Sequence, residues 1–204
     1  MIEVRNASKT IKKKAVLQEI HLRIEGGKTY GVYGVNGCGK TMLLRLLCGL
    51  IQPTTGEVVC EEGTTFGVII ENPGFLFHET AFENLNYLAG IRKKIGKSEI
   101  LEALDAVGLL DSKDIKVKKY SLGMLQKLGI AQAIMEKPEV LLLDEPFNAL
   151  DEESVERVKQ LLRKAKKDGA AVVLVSHDLS LIREECDCTI QMENGRIAKI
   201  QGAQ

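Results

Sequence analysis

The sequence lacks an excess of charge of either sign. Lysine plus arginine and aspartate plus glutamate each number 28 among the 204 residues. Nucleic-acid-binding proteins usually carry a basic surface, so this balance gives no support for DNA or RNA as a partner. It also leaves little net charge to oppose self-association.

The sequence also lacks the cysteine spacing of a metal site and the apolar run of a membrane span. The five cysteines are odd in number, and no two of them form a C-x-x-C pattern. This favours free thiols in a reducing compartment. The most apolar window, residues 42–51, is too short to cross a bilayer and contains Arg45. The first residues show no charged-then-apolar signal pattern, so work at a membrane is expected to need a separate membrane-spanning chain.

No repeat, low-complexity tract or flexible linker divides the chain, and we expect a single domain over 1–204. Apolar patterns predict strands at 2–5, 20–24, 29–33, 57–60, 65–70, 139–143 and 170–175, and a closing hairpin over 189–200. Helices are predicted after four cap residues, Thr80, Ser98, Asp151 and Asp178. The order predicts an α/β core at about 1–71 and 137–204, with a mainly parallel sheet, antiparallel N-terminal strands and a helical lobe inserted at about 72–136.

One eight-residue stretch matches the phosphate-loop pattern G-x-x-x-x-G-K-[ST] at every fixed position. It reads Gly34-Val35-Asn36-Gly37-Cys38-Gly39-Lys40-Thr41. A predicted buried strand precedes it, and a predicted helix that includes Met42 follows. Glycines let successive backbone N–H groups form an anion-binding nest, and the helix N-terminus adds partial positive charge. We therefore predict that residues 34–42 bind a nucleotide, with Lys40 on the β- and γ-phosphates and the Thr41 hydroxyl on Mg²⁺.

Two acids and a histidine follow the next two predicted buried strands. Asp144 and Glu145 end the stretch 140–145, and His177 follows the strand at 170–175. Ligands of open α/β sheets bind at the carboxyl edge of the strands, so we expect these side chains to lie near the phosphate loop. Asp144 is predicted to hold Mg²⁺ together with Thr41, and Glu145 to orient or deprotonate the attacking water. His177 is predicted to donate a hydrogen bond to a γ-phosphate.

These motifs and two further stretches resemble those of the ATP-binding cassette (ABC) ATPase family over nearly the whole chain. Tyr120-Ser121-Leu122-Gly123-Met124 stands where that family has its signature, usually Leu-Ser-Gly-Gly-Gln, and Asn148-Ala149-Leu150-Asp151 resembles its D-loop. The resemblance implies a P-loop NTPase fold of the ABC ATPase type and assigns the switch role to His177. It also implies a head-to-tail homodimer or heterodimer, in which the signature of one subunit closes over ATP held by the other.

Two departures of the signature from the family pattern bear on closure over ATP. Leu122 replaces its first glycine and Met124 replaces its glutamine. Closure over ATP is expected to survive, because Ser121 and Gly123 remain. At a helix start, this serine and glycine also suit an ordinary N-cap.

Other departures surround the nucleotide. Glu71 stands where the family has its Q-loop glutamine, and a carboxylate there is expected to contact Mg²⁺ or its water. The family's adenine-stacking aromatic would lie near Ile11, where no ring is present. Ile11 and Val16 are therefore expected to give only apolar contact, with weaker base discrimination. Cys38 is either a small residue that fits the loop or a thiol made reactive by the helix N-terminus.

The Glu71 variant and the Tyr-Ser-Leu-Gly-Met signature resemble one branch, the ATPase subunits of bacterial exporters of the bacitracin-resistance and lantibiotic-immunity type. This resemblance implies an ATP-hydrolysing subunit, peripheral on the cytoplasmic face of the cell membrane, that works with a separate multispan membrane subunit. Residues 72–78 are then expected to form part of the groove for that subunit, or otherwise a loop covering the lobe. Two alternatives stay open: a soluble ABC ATPase acting on ribosomes, DNA or cofactor assembly, and a nucleotide switch without turnover.

Overall fold

A computed structural model of the chain describes residues 1–71 and 74–202. The strands in chain order are β1 (Ile2–Ile11), β2 (Lys14–Ile24), β3 (Thr29–Tyr33), β4 (Thr55–Cys60), β5 (Phe66–Ile69), β6 (Val140–Asp144), β7 (Ala171–Val175), β8 (Cys188–Glu193) and β9 (Arg196–Gly202). The α-helices are α1 (Lys40–Leu47), α2 (Ala81–Arg92), α3 (Lys97–Ala106), α4 (Leu122–Ile134), α5 (Glu152–Lys167) and α6 (Leu179–Glu185). Short 3₁₀ turns lie at Leu110–Ser112 and Val117–Lys119.

The strands form two sheets. One is a three-stranded antiparallel sheet in the order β2-β1-β4, and the other has six strands in the order β5-β6-β7-β3-β8-β9. The six-stranded sheet is parallel except at β9, which pairs antiparallel with β8. The predicted α/β class, with a mainly parallel sheet and antiparallel N-terminal strands, is confirmed. β1 and β2 run longer than predicted, because their ladder continues through a polar hairpin end that has no apolar alternation.

Strand β6 contributes alternate side chains to two hydrophobic clusters. Val140 and Leu142 pack with the helix α1 side of the sheet, and Leu141 and Leu143 pack with α3, α4 and α5 on the other side. Successive side chains of a strand point to opposite faces, so a strand buried on both faces has a continuous apolar sequence. This double burial fixes the carboxyl end of β6, where the predicted acids lie.

The helices α2 to α4 lie between β5 and β6 in the chain, as the predicted order of elements requires. Thr80 caps α2 as predicted: its Oγ1 accepts a hydrogen bond from the Glu83 amide at 3.2 Å, and the Glu83 carboxylate accepts one from the Thr80 amide at 2.7 Å. The prediction that Ser98 opens the next helix is wrong. The helix begins one residue earlier, at Lys97, because the Glu99 carboxylate accepts a hydrogen bond from the Gly96 amide at 2.9 Å.

Two aspartates cap the later helices, as predicted from the sequence. Asp151 accepts a hydrogen bond from the Ser154 amide at 2.8 Å, and Asp178 accepts bonds from the first amides of α6. Within residues 1–71 and 74–202, none of the helices has both the length and the apolar character needed to cross a bilayer.

Candidate active site

A cavity of about 640 Å³ lies at the carboxyl edge of the parallel sheet. This volume falls within the roughly 300–1,000 Å³ range of small-molecule sites. The lining residues are Lys14, Ala15, Val16, Gln18, Asn36, Gly37, Gly39, Lys40, Thr41, Met42, Asp144, Glu145, Asn194 and Gly195. The predicted phosphate loop and the two predicted acids therefore face one cavity, because β3 and β6 are parallel and end at the same edge.

The loop delivers the N-terminus of α1 to this cavity. The first backbone bond of the helix runs from the Leu43 amide to the Gly39 carbonyl, at 2.9 Å. The three preceding amides, of Lys40, Thr41 and Met42, have no intrahelical acceptor and are free to bind an anion. Gly39 has a φ of +110°, and a Cβ there would lie 3.0 Å from the Val16 carbonyl oxygen. Both the backbone angle and the close approach favour glycine at this position.

Lys40 is the charged side chain of the loop. Its residue is only 9% exposed, and Nζ donates hydrogen bonds to the carbonyl oxygens of Gly34 at 2.8 Å and Val35 at 3.2 Å. Both acceptors are neutral carbonyls, so neither hydrogen bond pairs Nζ with a negative charge. A buried cation beside free amides attracts phosphate oxygens strongly, because the surrounding protein screens the charge less than water does.

Thr41 and Asp144 meet at the base of the cavity. Thr41 Oγ1 donates a hydrogen bond to Asp144 Oδ2 at 2.6 Å. Burial raises the pKa of Asp144, the Thr41 hydrogen bond lowers it, and the neighbouring Glu145 charge raises it again, with a net increase. A hydroxyl and a carboxylate oxygen are donors that fit Mg²⁺, which takes one or two protein ligands and completes its shell with phosphates and water.

Glu145 and His177 form the second polar pair. His177 Nδ1 lies 3.0 Å from Glu145 Oε2. The Glu145 backbone has a φ of +49°, its amide donates to the Val175 carbonyl at 2.9 Å, and its carbonyl accepts from Gln126 Nε2 at 3.2 Å. A left-handed backbone at a non-glycine residue costs roughly 1–3 kcal/mol and persists only where neighbouring contacts enforce it. These contacts hold the Glu145 carboxylate beside His177 and over the cavity.

The signature stretch lies outside the cavity of its own chain. Ser121 caps α4, with Oγ accepting a hydrogen bond from the Met124 amide at 3.3 Å, and Leu122 is 65% exposed. A Cβ at Gly123 would lie 2.6 Å from the carbonyl oxygen of Ala149, so the signature packs directly on the loop that precedes Asp151. The predicted signature and D-loop therefore touch each other, and neither lines the cavity.

Several predicted site residues lie away from the cavity lining. Glu71 pairs with Arg45 at 2.8 Å on an exposed surface, and Ile11 lies at the exposed end of the β1–β2 hairpin, whereas Val16 does line the cavity. Val35 is 73% exposed and is not among the lining residues. Asn72 and Pro73, which belong to the predicted groove, lie outside the described residues.

Cys38 also faces away from the cavity. It is 3% exposed and packs in the core under the loop, so the hypothesis of a reactive thiol is wrong. A Cβ at Gly34 would lie 2.8 Å from the Cys38 sulfur, and this contact shows how tightly the thiol is enclosed. The helix N-terminus cannot activate a thiol that reagents and solvent do not reach.

Five lining residues are missing from the sequence predictions: Lys14, Ala15, Gln18, Asn194 and Gly195. Gly195 donates from its amide to the Cys38 carbonyl at 2.8 Å, and its own carbonyl accepts from the Gln18 amide at 2.8 Å. Asn194 and Gly195 form the turn of the predicted closing hairpin, but no local pattern indicates that this turn packs on a loop more than 150 residues earlier.

Comparisons with known proteins agree with this geometry. A family model described as ABC transporter matches residues 17–148. The uncharacterized ABC transporter ATP-binding protein YybJ of Bacillus subtilis strain 168 is 46% identical over 206 residues, which cover 97% of this chain and 94% of that protein.

Two further relatives have named transport roles, and one solved structure shows the same fold. The bacitracin transport ATP-binding protein BcrA of Enterococcus faecalis is 38% identical over 98% of this chain and 68% of that protein. The lantibiotic transport ATP-binding protein SrtF of Streptococcus pyogenes is 31% identical over 97% of this chain and 89% of that protein. The ATP-binding cassette MJ0796, a dimer in a post-hydrolysis state bound to ADP and Pi, superposes with a TM-score of 0.92 at 26% identity, covering 100% of this chain and 99% of that one. The resemblance to the bacitracin and lantibiotic branch is confirmed, and the chain belongs to the ABC transporter family as an ATP-binding cassette.

Proposed function

We propose that this chain hydrolyses ATP as a dimeric subunit of a membrane exporter for antimicrobial peptides or other hydrophobic compounds. The observation that carries the proposal is that Thr41, Asp144 and Glu145 line one cavity, with His177 beside Glu145 just outside the lining. Thr41 bonds to Asp144, and Glu145 lies beside His177, next to the free amides of the phosphate loop. A site for phosphate and metal thus adjoins a carboxylate that can act on water, which is the arrangement that phosphoryl transfer to water needs.

The chain's own residues divide the work of ATP hydrolysis in this proposal. The amides of residues 34–42 and the Lys40 ammonium hold the phosphates and stabilise the charge that develops on them. Mg²⁺, when bound through Thr41 and Asp144, supplies further positive charge to the phosphate oxygens. Glu145 orients the attacking water or accepts its proton, and His177 positions Glu145 and donates to the γ-phosphate. Glu71, which pairs with Arg45 outside the cavity lining, is proposed to contact Mg²⁺ through water.

The second half of the site is proposed to come from another ATPase subunit, identical or different. Ser121, Leu122, Gly123 and Met124 do not line the cavity of their own chain, although Ser121 places a helix N-terminus at the surface. Gly123 packs against Ala149 in the loop before Asp151. The signature and the D-loop are therefore proposed to approach a neighbouring nucleotide together. The dimer seen for MJ0796 supports this arrangement.

The membrane role rests on the named relatives and on the surface of the helical region. BcrA and SrtF are named for bacitracin and lantibiotic transport. Leu76 and Phe77 are each 51% exposed, and Tyr87 and Ile91 on α2 are 64% and 68% exposed. Exposed apolar clusters mark interaction sites. We therefore propose that the chain divides into a core of residues 1–71 and 137–204 and a lobe of residues 72–136. The lobe is proposed to bind a separate multispan subunit on the cytoplasmic face of the cell membrane.

The test of hydrolysis is Glu145→Gln, which keeps the shape of the side chain and removes its ability to accept a proton. Turnover is expected to fall by at least about 100-fold, while ATP binding persists and ATP-dependent dimers accumulate. These are measured by phosphate release and by light scattering. Glu153→Gln is the matched control, because that side chain is 87% exposed on α5. Native turnover in Glu145→Gln would remove Glu145 from catalysis.

The transport role is tested separately by purification of the tagged chain from detergent-solubilised membranes of its own cells. A multispan membrane protein that co-purifies in stoichiometric amount is the expected result. Ribosomes or DNA in its place would support a soluble ABC ATPase and contradict the exporter.

A further inference from the structure

The nucleotide cavity has two chemically different ends. Lys40, Thr41 and Asp144 form one end, where the free amides of the loop also lie. The start of β2, from Lys14 to Gln18, and the turn between β8 and β9 form the other. The phosphates of ATP occupy the first end in the proposed function, so the ribose and base must extend towards the second.

The second end offers few groups that could hold a base. None of the described lining residues is aromatic, so no ring is available for stacking. The Gln18 amide is already used on both sides: its Nε2 donates to the Asn194 carbonyl at 2.9 Å, and its Oε1 accepts from Arg196 Nη2 at 3.3 Å. Lys14 is the cationic side chain at this end.

The hairpin turn sets the backbone position of Lys14. β1 and β2 are joined by Lys12 and Lys13 alone, and Ile11 pairs with Lys14 across the turn. Lys12 and Lys13 have φ values of +47° and +66°, the conformation of a tight hairpin turn that favours Asn-Gly. Within the described part of the chain, Lys14 forms no ion pair within 4.0 Å, so its ammonium has no competing carboxylate.

We propose that Lys14 positions the nucleotide base, with its ammonium over the π face of the base and its methylene stem against the ring edge. A cation over a ring is attracted by the electron density of the ring face, and the stem of lysine covers apolar surface. Every base has a π face, so this contact selects nucleoside triphosphates as a class and discriminates little between ATP and GTP. The inference rests on the proposed nucleotide site. It assigns to Lys14 the preference of that site for nucleotides over phosphate chains without a base.

The experiment compares equilibrium binding of ATP and of inorganic tripolyphosphate, each with Mg²⁺, to the native chain and three variants. Lys14→Met keeps the stem and removes the charge, and it is expected to weaken ATP binding by about 3- to 10-fold, with tripolyphosphate binding unchanged. Lys14→Arg is expected to retain near-native ATP affinity. Lys13→Met is the matched control, since it removes the same charge one residue away from the lining and is expected to bind both ligands as the native chain does.

The outcomes separate a base contact from a general electrostatic effect. An equal loss of affinity for ATP and for tripolyphosphate in Lys14→Met would show that the Lys14 charge acts on the phosphates and not on the base. That result would overturn the proposal. An unchanged ATP affinity would overturn it as well, while the phosphate end of the site would stand. A native chain that binds neither ligand would instead refute the proposed nucleotide site itself. Thermal melting checks folding, and the exposed hairpin position of Lys14 predicts native melting curves for both Lys14 variants.

Discussion

Thr41 Oγ1 and Asp144 Oδ2 lie 2.6 Å apart, although 103 residues separate them in the chain. The contact arises because a short loop joins the end of β3 to the start of α1, and β6 ends at the same sheet edge. The two oxygens are thus already placed together before a metal binds. A site preorganised in this way loses little conformational freedom when it takes Mg²⁺.

Asp144→Asn keeps the contact with Thr41 and removes the charge. Nucleotide affinity in EDTA is expected to stay native or rise, because one negative charge near the phosphates is lost. The increase in affinity caused by Mg²⁺ is expected to shrink by at least about 10-fold. Titration of a fluorescent ATP analogue with and without Mg²⁺ measures both quantities. Thr41→Ser, which keeps a hydroxyl, serves as the conservative control, and a native Mg²⁺ effect in Asp144→Asn would contradict the metal role.

His177→Ala removes the partner that lies 3.0 Å from Glu145 Oε2. Hydrolysis is expected to fall by about 100- to 10,000-fold, with little change in ATP affinity, because His177 lies outside the cavity lining. Steady-state phosphate release and equilibrium binding separate the two effects. His21→Ala and His78→Ala change exposed histidines that do not line the cavity and are expected to keep native turnover. A parallel loss of affinity and turnover would assign His177 to ATP binding.

Lys40→Ala is expected to abolish productive ATP binding and also to lower the unfolding free energy of the nucleotide-free protein. The ammonium donates to the Gly34 and Val35 carbonyls, and its loss leaves both acceptors without this partner. A charged hydrogen bond contributes about 1.5–3 kcal/mol in proteins, and we expect a fall in unfolding free energy near the lower figure. Urea unfolding without nucleotide measures it, with the exposed Lys94→Ala as control. Near-native affinity and turnover in Lys40→Ala would refute the phosphate assignment.

The sequence was informative where a motif is short and its flanks are regular. Residues 34–41 carry a fixed spacing, and the apolar run before Asp144 reflects a strand buried on both faces, so the edge at which they meet could be predicted. Lys14 and Asn194 could not be found in this way, because their place at the cavity depends on the packing of a hairpin against a distant turn.

Side-chain direction and helix starts were harder to predict than element order. The loop pattern is satisfied whether Cys38 faces solvent or core, and only packing against Gly34 and the sheet decides that it is buried. Ser98 is a good cap residue, yet Gly96 with Glu99 satisfies the first amide better and starts the helix earlier. For Cys38 a tertiary contact decides the outcome, whereas for α3 one local cap outweighs another.

Asp187→Asn tests how β8 is joined to the rest of the sheet. Burial raises the pKa of Asp187, but the Thr29 amide at 2.7 Å and the Lys166 ammonium at 3.1 Å outweigh it, so the net pKa is lowered. A lowered carboxyl pKa stabilises the fold above the unfolded value of about 3.9, and this stabilisation is lost as the pH falls through the folded value.

The Asn variant is therefore expected to be less stable by about 1 kcal/mol at pH 7, a modest figure because solvent screens a partly exposed pair. The difference should stay constant from pH 8 to pH 5 and shrink below about pH 4. Urea unfolding across this range measures it, with the 77% exposed Asp114→Asn as control. A difference that grows as the pH falls would contradict the assigned sign.

Gly123→Ala tests the contact between the signature and the D-loop. The added Cβ would lie 2.6 Å from the Ala149 carbonyl oxygen, so α4 or the loop at 148–151 must move. Overpacking of this kind costs about 1–3 kcal/mol, which outweighs the gain of up to about 1 kcal/mol in helix propensity. Hydrolysis is expected to fall, while ATP affinity of the single subunit stays native because neither segment lines the cavity.

Gly90→Ala is the matched control, because it places the same methyl group in helix α2 with no atom within 4 Å. It is expected to raise the unfolding free energy by about 0.5–1 kcal/mol and to leave hydrolysis native. Urea unfolding and phosphate release on both variants give the comparison. If Gly123→Ala were as stable and as active as Gly90→Ala, the close approach of the signature to Ala149 would have no role in stability or catalysis. A loss of activity without a loss of stability would assign the glycine to the encounter with the second subunit.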